Sequence, residues 1–424
     1  MGELSMARDK MQSQRVPGTF SIKRYLVPFG LFLAFPFFLH AEESSSPVKT
    51  DISGYLKTLN FFTRTTSLSP ELVNNPLAVE EIKEDLFQNL ERVRLQMRAG
   101  VKLPLNQRLV AKVDYDHQAF FGSFVHSDNF RYRRWTVEER QFGDLSQTLV
   151  KKRNAFYEHR LYRAYLTYET EKASLTVGRQ QIPWGLGHFF TPTDVFNPFN
   201  PTQIEWDERD GTDAVNLAVK LPYEAKTQWI YTPRGARSLH PQRFFNRTSR
   251  DVKGYEIGVI NGLIHRDFAS GFDLRGNVKD SAVRGEFLYR HKDNEEKDFM
   301  QFTVNADYNL PKNIYMLLEY HFNGLGRRSF RDYQRDLQTR GDFTQLARNY
   351  LGLLLGYDIT ALLRLEHRTL FNMDDVSFFI RPELQYEVTS NLLATLGAQL
   401  FLGANQDEYG APANLYFGEM KYNF

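Results

Sequence analysis

Arg92, Arg94 and Arg98 stand at even spacing in "RVRLQMRAGV", with Val93, Leu95, Met97 and Ala99 between and around them. Period two is a β-strand with one polar and one apolar face, so the three guanidinium groups share a side. A second set of charges, Glu205, Asp207, Glu208 and Asp210, falls in a long segment rich in Trp, Phe and Pro. Brought opposite the arginines across a narrow water column, these carboxylates would set up a transverse field that orients dipolar solutes and selects weakly among ions. Asp114 and Asp116 on the following strand share the polar parity. Further charges of that parity are Arg163, Arg284, Arg364, Arg368, Arg381, Glu286, Glu366, Glu383 and Glu387. Part of this set is expected to form cross-strand ion pairs that hold a wall together.

Bond-making chemistry finds little support. The chain has no cysteine, which removes disulfides, thiolate metal sites and cysteine nucleophiles. "DERDGTD" (207–213) resembles a calcium loop only superficially, because Arg209 interrupts the ligand alternation and the closing Glu is missing. His188, beside Phe189 and Phe190, reads as a packed loop histidine, with no second His at ligand spacing. A lipase-type site on the apolar parity would use His367, but no serine partner is evident. No nucleophile-elbow, P-loop or dinucleotide motif occurs, and "NRT" at Asn246 reads as an accidental glycosylation pattern. The expectation is a non-enzyme without cofactor or metal.

The elements that position these charges are strands. In "VSFFIRPELQYEV" (376–388) Val376, Phe378, Ile380, Pro382, Leu384, Tyr386 and Val388 oppose Ser377, Arg381, Glu383, Gln385 and Glu387, with Phe379 alone out of place. The same device recurs around Leu109–Tyr115, Val215–Leu221, Met300–Leu310, Ile314–Phe322, Tyr350–Phe371 and Leu392–Leu400. Tight turns near Pro104, Glu171, Pro222, Asp280, Pro311, Thr360 and Ser390 alternate with long segments at 66–84, 121–154, 183–211, 324–346 and 403–412. Asymmetric connections of this kind, with polar faces rich in Arg, Asp, Glu and Asn, imply an all-β, transmembrane, antiparallel up-and-down barrel with a wet lumen and apolar faces toward lipid. Counting 242–249, 254–262, 268–276 and 281–290 separately gives about 18 strands, and about 16 otherwise. Tyr115, Tyr308, Tyr320 and Tyr386 suit interfacial girdles. The segment 183–211 is too oily to lie in solvent, so it is expected to fold inward as a constriction with Trp184, His188, Phe196 and Trp206 packed.

"SIKRYLVPFGLFLAFPFFLHA" has the basic, apolar and small-residue parts of a secretory signal, placing a leader at 1–41, a spacer at 42–51 and one barrel at 52–424. The chain carries 53 basic and 51 acidic residues; the leader holds five and two of them, which leaves a net charge of −1 and little basis for nucleic-acid binding. The same ten-residue spacer is too short for the plug of an energy-coupled barrel.

The end of the chain, "NLYFGEMKYNF", places Tyr416, Gly418, Met420, Tyr422 and Phe424 on one parity. It resembles the terminal signal of bacterial outer-membrane proteins, in which Tyr422 and Phe424 would be read by the barrel assembly machinery. "GRQQIPWGLGHFFTPTDVFNPFNPTQIEWDERDGTDAVNLAVKLP" (178–222) resembles a region of porin-like barrels near the alginate-export group. The resemblance implies a Gram-negative outer-membrane diffusion channel for small hydrophilic solutes, anionic or carbohydrate ones included. Its surroundings would be outer-membrane lipid and lipopolysaccharide, and homo-oligomerisation through lipid-facing strands stays open. The other readings are a barrel sheath around an export or electron-conduit partner, and an outer-membrane lipase-type enzyme.

Overall fold

The computed structural model describes residues 48–67, 82–127, 130, 141–197, 200–205, 209–234, 241–293, 297–333 and 345–424. The expected leader lies outside them, as do Trp206, Asp207 and Glu208.

Alternation produces nineteen strands. They are β1 (Val48–Ser67), β2 (Ile82–Leu103), β3 (Gln107–Phe121), β4 (Ser146–Lys152), β5 (Ala155–Glu169), β6 (Ala173–Gln180), β7 (Thr212–Lys220), β8 (Ala225–Thr232), β9 (Arg243–Val252) and β10 (Tyr255–Ile264). The rest are β11 (Asp267–Val278), β12 (Ser281–His291), β13 (Phe299–Leu310), β14 (Ile314–Asn323), β15 (Asn349–Asp358), β16 (Leu363–Asn372), β17 (Ser377–Thr389), β18 (Leu392–Leu402) and β19 (Leu415–Asn423). Each pairs antiparallel with its neighbour, and β19 returns to β1, so eighteen strands close a barrel. The exception is β4, which pairs with the part of β5 that β6 does not reach. The quartet at 242–290 resolves into β9 to β12, which fixes the count at eighteen and not sixteen.

One end of the barrel carries only tight turns. Three of them repeat one device: Leu103-Pro104, Leu221-Pro222 and Leu310-Pro311 are each followed by two residues of positive φ, Leu105 and Asn106, Tyr223 and Glu224, Lys312 and Asn313. Two successive left-handed residues match the right-handed twist of the flanking strands. The long connections all lie at the other end, although 265–266 and 373–376 are short there too. At the tight-turn rim, Phe424 exchanges both backbone hydrogen bonds with Gly54, at 2.9 and 3.0 Å. Tyr422 lies outward and exposed, opposite Leu56.

Apolar parity points out and polar parity points in, as the burial along β2 and β17 shows. One bulge changes the phase: Asp114 pairs with Arg163 but Tyr115 pairs with Leu161, so Tyr162 is the extra residue. Because a bulged residue re-aims its neighbours, Tyr162 and Arg163 both serve the inner face. The residue that broke the alternation of β17, Phe379, is fully buried inside the barrel, where it packs with Phe401 and Tyr409.

Candidate functional site

The segment between β6 and β7 crosses the lumen. Its residues contact β2, β8, β12, β14, β17 and β18, a set that spans the circumference and can be reached only from inside. Its first part is anchored by packing: Trp184 donates from Nε1 to Gln228 Oε1 at 2.9 Å and lies edge-on to Phe196 at 5.1 Å, and both rings are buried against Phe245.

Its middle is held by two carboxylates of the far wall. Glu286 on β12 accepts from the backbone N–H groups of Leu186 at 2.9 Å, Gly187 at 2.6 Å and Thr193 at 3.0 Å, and from the Thr193 hydroxyl. Glu319 on β14 accepts from the N–H groups of His188, Phe189 at 2.9 Å and Phe190 at 2.8 Å, and from Asn305 Nδ2 at 3.2 Å. Irregular backbone in a closed space needs partners for its N–H groups, and these two side chains supply them. Burial, with Arg368 and Arg284 nearby, lowers the His188 imidazole to about 4, so the loop carries no imidazolium at neutral pH. Burial pushes the Asp194 carboxyl up to about 8, against the Asn197 amide and the Arg209 guanidinium 3.2 Å away.

The end of the segment meets the arginine ladder. Arg92 grips Glu205 through two bonds, at 2.6 and 3.0 Å, and Lys57 Nζ lies 3.1 Å from the same carboxylate. Burial alone would raise the Glu205 pKa, but Arg92 and Lys57 outweigh it and hold the group well below the usual carboxylate range. Arg94 is bonded to Asp116 on the neighbouring strand, at 2.5 and 2.7 Å, and its guanidinium covers the Tyr162 ring at 3.7 Å. Arg98 is exposed and has no ion pair among the described residues. Asp210 lies 3.4 Å from Arg160, which also faces Asp116 at 3.6 Å. Asp114 sits between Lys112 at 3.6 Å and Arg163 at 3.8 Å. Arg381 donates to the carbonyls of Gln203 and Ile204, at 2.8 and 2.9 Å. The expected face-to-face arrangement is thus a direct contact at Arg92 and Glu205 and a wall pair at Arg94 and Asp116.

Two further segments enter from the long-loop end. Glu408, between β18 and β19, accepts from Tyr350 Oη at 2.5 Å, Asn372 Nδ2 at 2.9 Å and the Leu346 N–H at 3.0 Å. Phe189, Phe190, Tyr350, Phe379 and Tyr409 form one buried cluster around these contacts. On the outer face, His367 Nε2 lies 2.8 Å from Thr369 Oγ1.

No family model matches the sequence, and no curated protein matches it. Among solved structures, OccAB4 of Acinetobacter baumannii is similar at TM-score 0.54 and 9% identity, over 89% of this chain and 97% of that one. A triple mutant of the Rhodopseudomonas blastica porin aligns at TM-score 0.45 and 9% identity, over 89% of this chain and 100% of that one. The first of these likenesses shows the fold, a closed antiparallel β-barrel of the kind porins have.

Proposed function

We propose that this chain is a passive channel of the bacterial outer membrane, conducting small hydrophilic solutes with a preference for anions. A barrel whose exterior is apolar and whose interior is charged is stable in lipid, not in water. The loop between β6 and β7 narrows the lumen, one wall of which is formed by the polar parity of β2, β3 and β5. The observation that carries the anion preference lies on that wall. Asp114 and Asp116 are 0% exposed, while their cationic partners Lys112, Arg160 and Arg163 keep 27%, 19% and 16% of their side chains accessible. Water therefore meets the positive half of these contacts, with exposed Arg98 at the same wall, whereas the carboxylate is the more exposed partner where Arg92 meets Glu205 and Arg160 meets Asp210, so the preference is a mild one. The likeness of 178–222 to alginate-export barrels supports an anionic carbohydrate among the solutes.

Planar-bilayer recording in a salt gradient tests this reading. The refolded chain is expected to open stably with an anion-selective reversal potential, which the double variant R98Q/K112Q moves toward zero. R92Q should move it less, because Glu205 already neutralises Arg92. Cation selectivity, or a folded and inserted barrel that never conducts, would refute the proposal.

A further inference from the structure

At the tight-turn end the lumenal wall carries a second group of charges. Strand register sets Asp251 on β9 opposite Glu256 on β10, Glu256 opposite Arg275 on β11, and Arg275 opposite Arg284 on β12. All four share the inward parity of Phe245, Ile260, Ala269 and Leu288, which are buried inside the barrel. The row reads acid, acid, base, base across four adjacent strands. Like charges directly opposite one another weaken a wall, so ion pairs that served the wall alone would alternate in sign. Two of the three lateral contacts in this row are between like charges.

The partners of these groups show which charge is left over. Glu256 accepts from Arg275, and lies 3.0 Å from Lys226 Nζ and 3.2 Å from Arg247 Nη2. Arg247 is itself bonded to Asp273 twice, at 2.7 and 2.6 Å. Lys226 and Arg275, each half-exposed, therefore share one carboxylate. Arg284 is drawn the other way, to Asp307 at 2.9 Å and Asn305 at 3.1 Å. Asp251 accepts from the Gly254 N–H at 3.0 Å and has no ion pair among the described residues. The four charges line an open cavity of about 360 Å³, where Gly254 and Ala282 leave the space unfilled.

A surplus cation and an unpaired carboxylate on two sides of one cavity fit a solute that carries both charges. Two strand spacings, about 10 Å, separate β9 from β11. An extended chain of two or three residues spans about 7–10 Å between its ends. We propose that this cavity is a subsite for a zwitterion of short-peptide length, its ammonium at Asp251 and its carboxylate at Arg275 with Arg284 on the other side. The inference rests on the channel reading above, to which it adds a class of solute and a place of contact at the tight-turn mouth. A lone anion there meets Asp251 and a lone cation meets Arg275, so the same row that holds a zwitterion disfavours either ion by itself.

The test is binding of triglycine to the full chain in lipid nanodiscs, read by saturation-transfer NMR and calorimetry, beside N-acetyl-triglycine and triglycine amide. The first analogue lacks the ammonium and the second lacks the carboxylate. The expected result is saturable binding of triglycine and about tenfold weaker binding of both analogues, the size of one charged hydrogen bond. Asp251→Asn keeps the oxygen that accepts from Gly254 and should erase only the preference over the acetylated peptide. Arg275→Gln should erase only the preference over the amide. Each variant is checked for folding by its heat-dependent shift in gel migration. Equal binding of the three peptides, no saturable binding, or an unaltered preference in either folded variant would overturn the proposal. Planar-bilayer recording of the same samples separates the two readings. A chain that binds triglycine with this preference and never conducts refutes the channel and leaves the subsite, whereas one that conducts without the preference refutes only the subsite.

Discussion

Replacing Glu319 with Ala removes the acceptor of three consecutive loop amides while leaving the barrel wall intact. Phe189 and Phe190 are 2% and 1% exposed, so water cannot replace the lost bonds unless the loop itself moves. An orphaned buried N–H is unfavourable by about 1–3 kcal/mol. The three amides of His188, Phe189 and Phe190 thus destabilise the docked loop by at least about 3 kcal/mol. At about 1.4 kcal/mol per decade, that raises the population of the released loop by about two decades or more. Glu286 still holds Leu186, Gly187 and Thr193, so the release should be a transient excursion of the middle of the loop and not its loss. Glu319→Gln should fall between, because one oxygen still serves Phe189 and Phe190 while the new NH2 group faces His188 N–H and Asn305 Nδ2, donor against donor.

Single-channel recording reads this directly. The expected trace of E319A shows frequent steps to a larger conductance, in proportion to the released population, with E319Q intermediate. A limited-proteolysis series should show cleavage between 186 and 193 in the same order. The reasoning is refuted if E319A folds, inserts and conducts with the parent's conductance and noise and the parent's resistance to cleavage. In that case the amides of 188–190 would have other partners, and the far-wall carboxylates would not be what holds the constriction.

Two other perturbations follow from the same packing. A side chain at Gly352 on β15 would place its Cβ 2.4 Å from the Phe189 ring, so Gly352→Leu should push the loop off that wall and enlarge the conductance, while Gly285→Ala, with its nearest neighbour 3.6 Å away, should leave it unchanged. Burial raises the Glu408 carboxyl from 4.5 to about 7, against the pull of Tyr350 and of the Leu346 and Ala347 amides. The docked form then holds more protons than the undocked form between those values, so its stability is full below about pH 4.5 and is lost as the pH rises through about 7. Protection of the Leu346 amide from hydrogen exchange, corrected for the intrinsic rate, should fall about tenfold or more between pH 5 and pH 8. A pH-independent protection factor, or the same fall in E408Q, would contradict this.

Much of the barrel is legible in the sequence because each strand repeats one physical choice. Residues on the parity of Val304 and Leu318 face the exterior, and those on the parity of Glu319 face the lumen, so the period alone orients the wall. The turns are legible for a similar reason: Leu-Pro before two residues can be seen, although the left-handed conformation of Leu105 or Tyr223 cannot be inferred from residue type. The inward loop is legible from its aromatic content, but its fastening is not. Glu286 reads as one more lumenal acid and Glu319 shares the inward parity of its own strand, and their partners are backbone amides 93 to 131 residues away, which carry no mark in the sequence. Likewise the opposite signs of Arg92 and Glu205 are visible, whereas contact in place of separation across water depends on where the loop ends.

The exceptions to period two then have a common logic. Phe379 is an apolar residue on the polar parity, and it is inside because two loops of the same chain bring Tyr409 and Phe189 into the cluster that buries it. Glu91 and His117 are polar residues on the apolar parity, and each bonds to neighbouring side chains, Glu91 to Thr58 and Asn89 and His117 to Tyr157. An apolar ring in water is unfavourable until another surface reaches it, and a polar side chain on the outward face is unfavourable until it finds hydrogen-bond partners. The first exception is answered by loops, the second by neighbouring side chains of the wall itself. Sequences of this barrel type should therefore be scanned for breaks in alternation on each parity separately. Inward breaks mark where loops dock, and outward breaks mark hydrogen-bonded polar clusters on the wall.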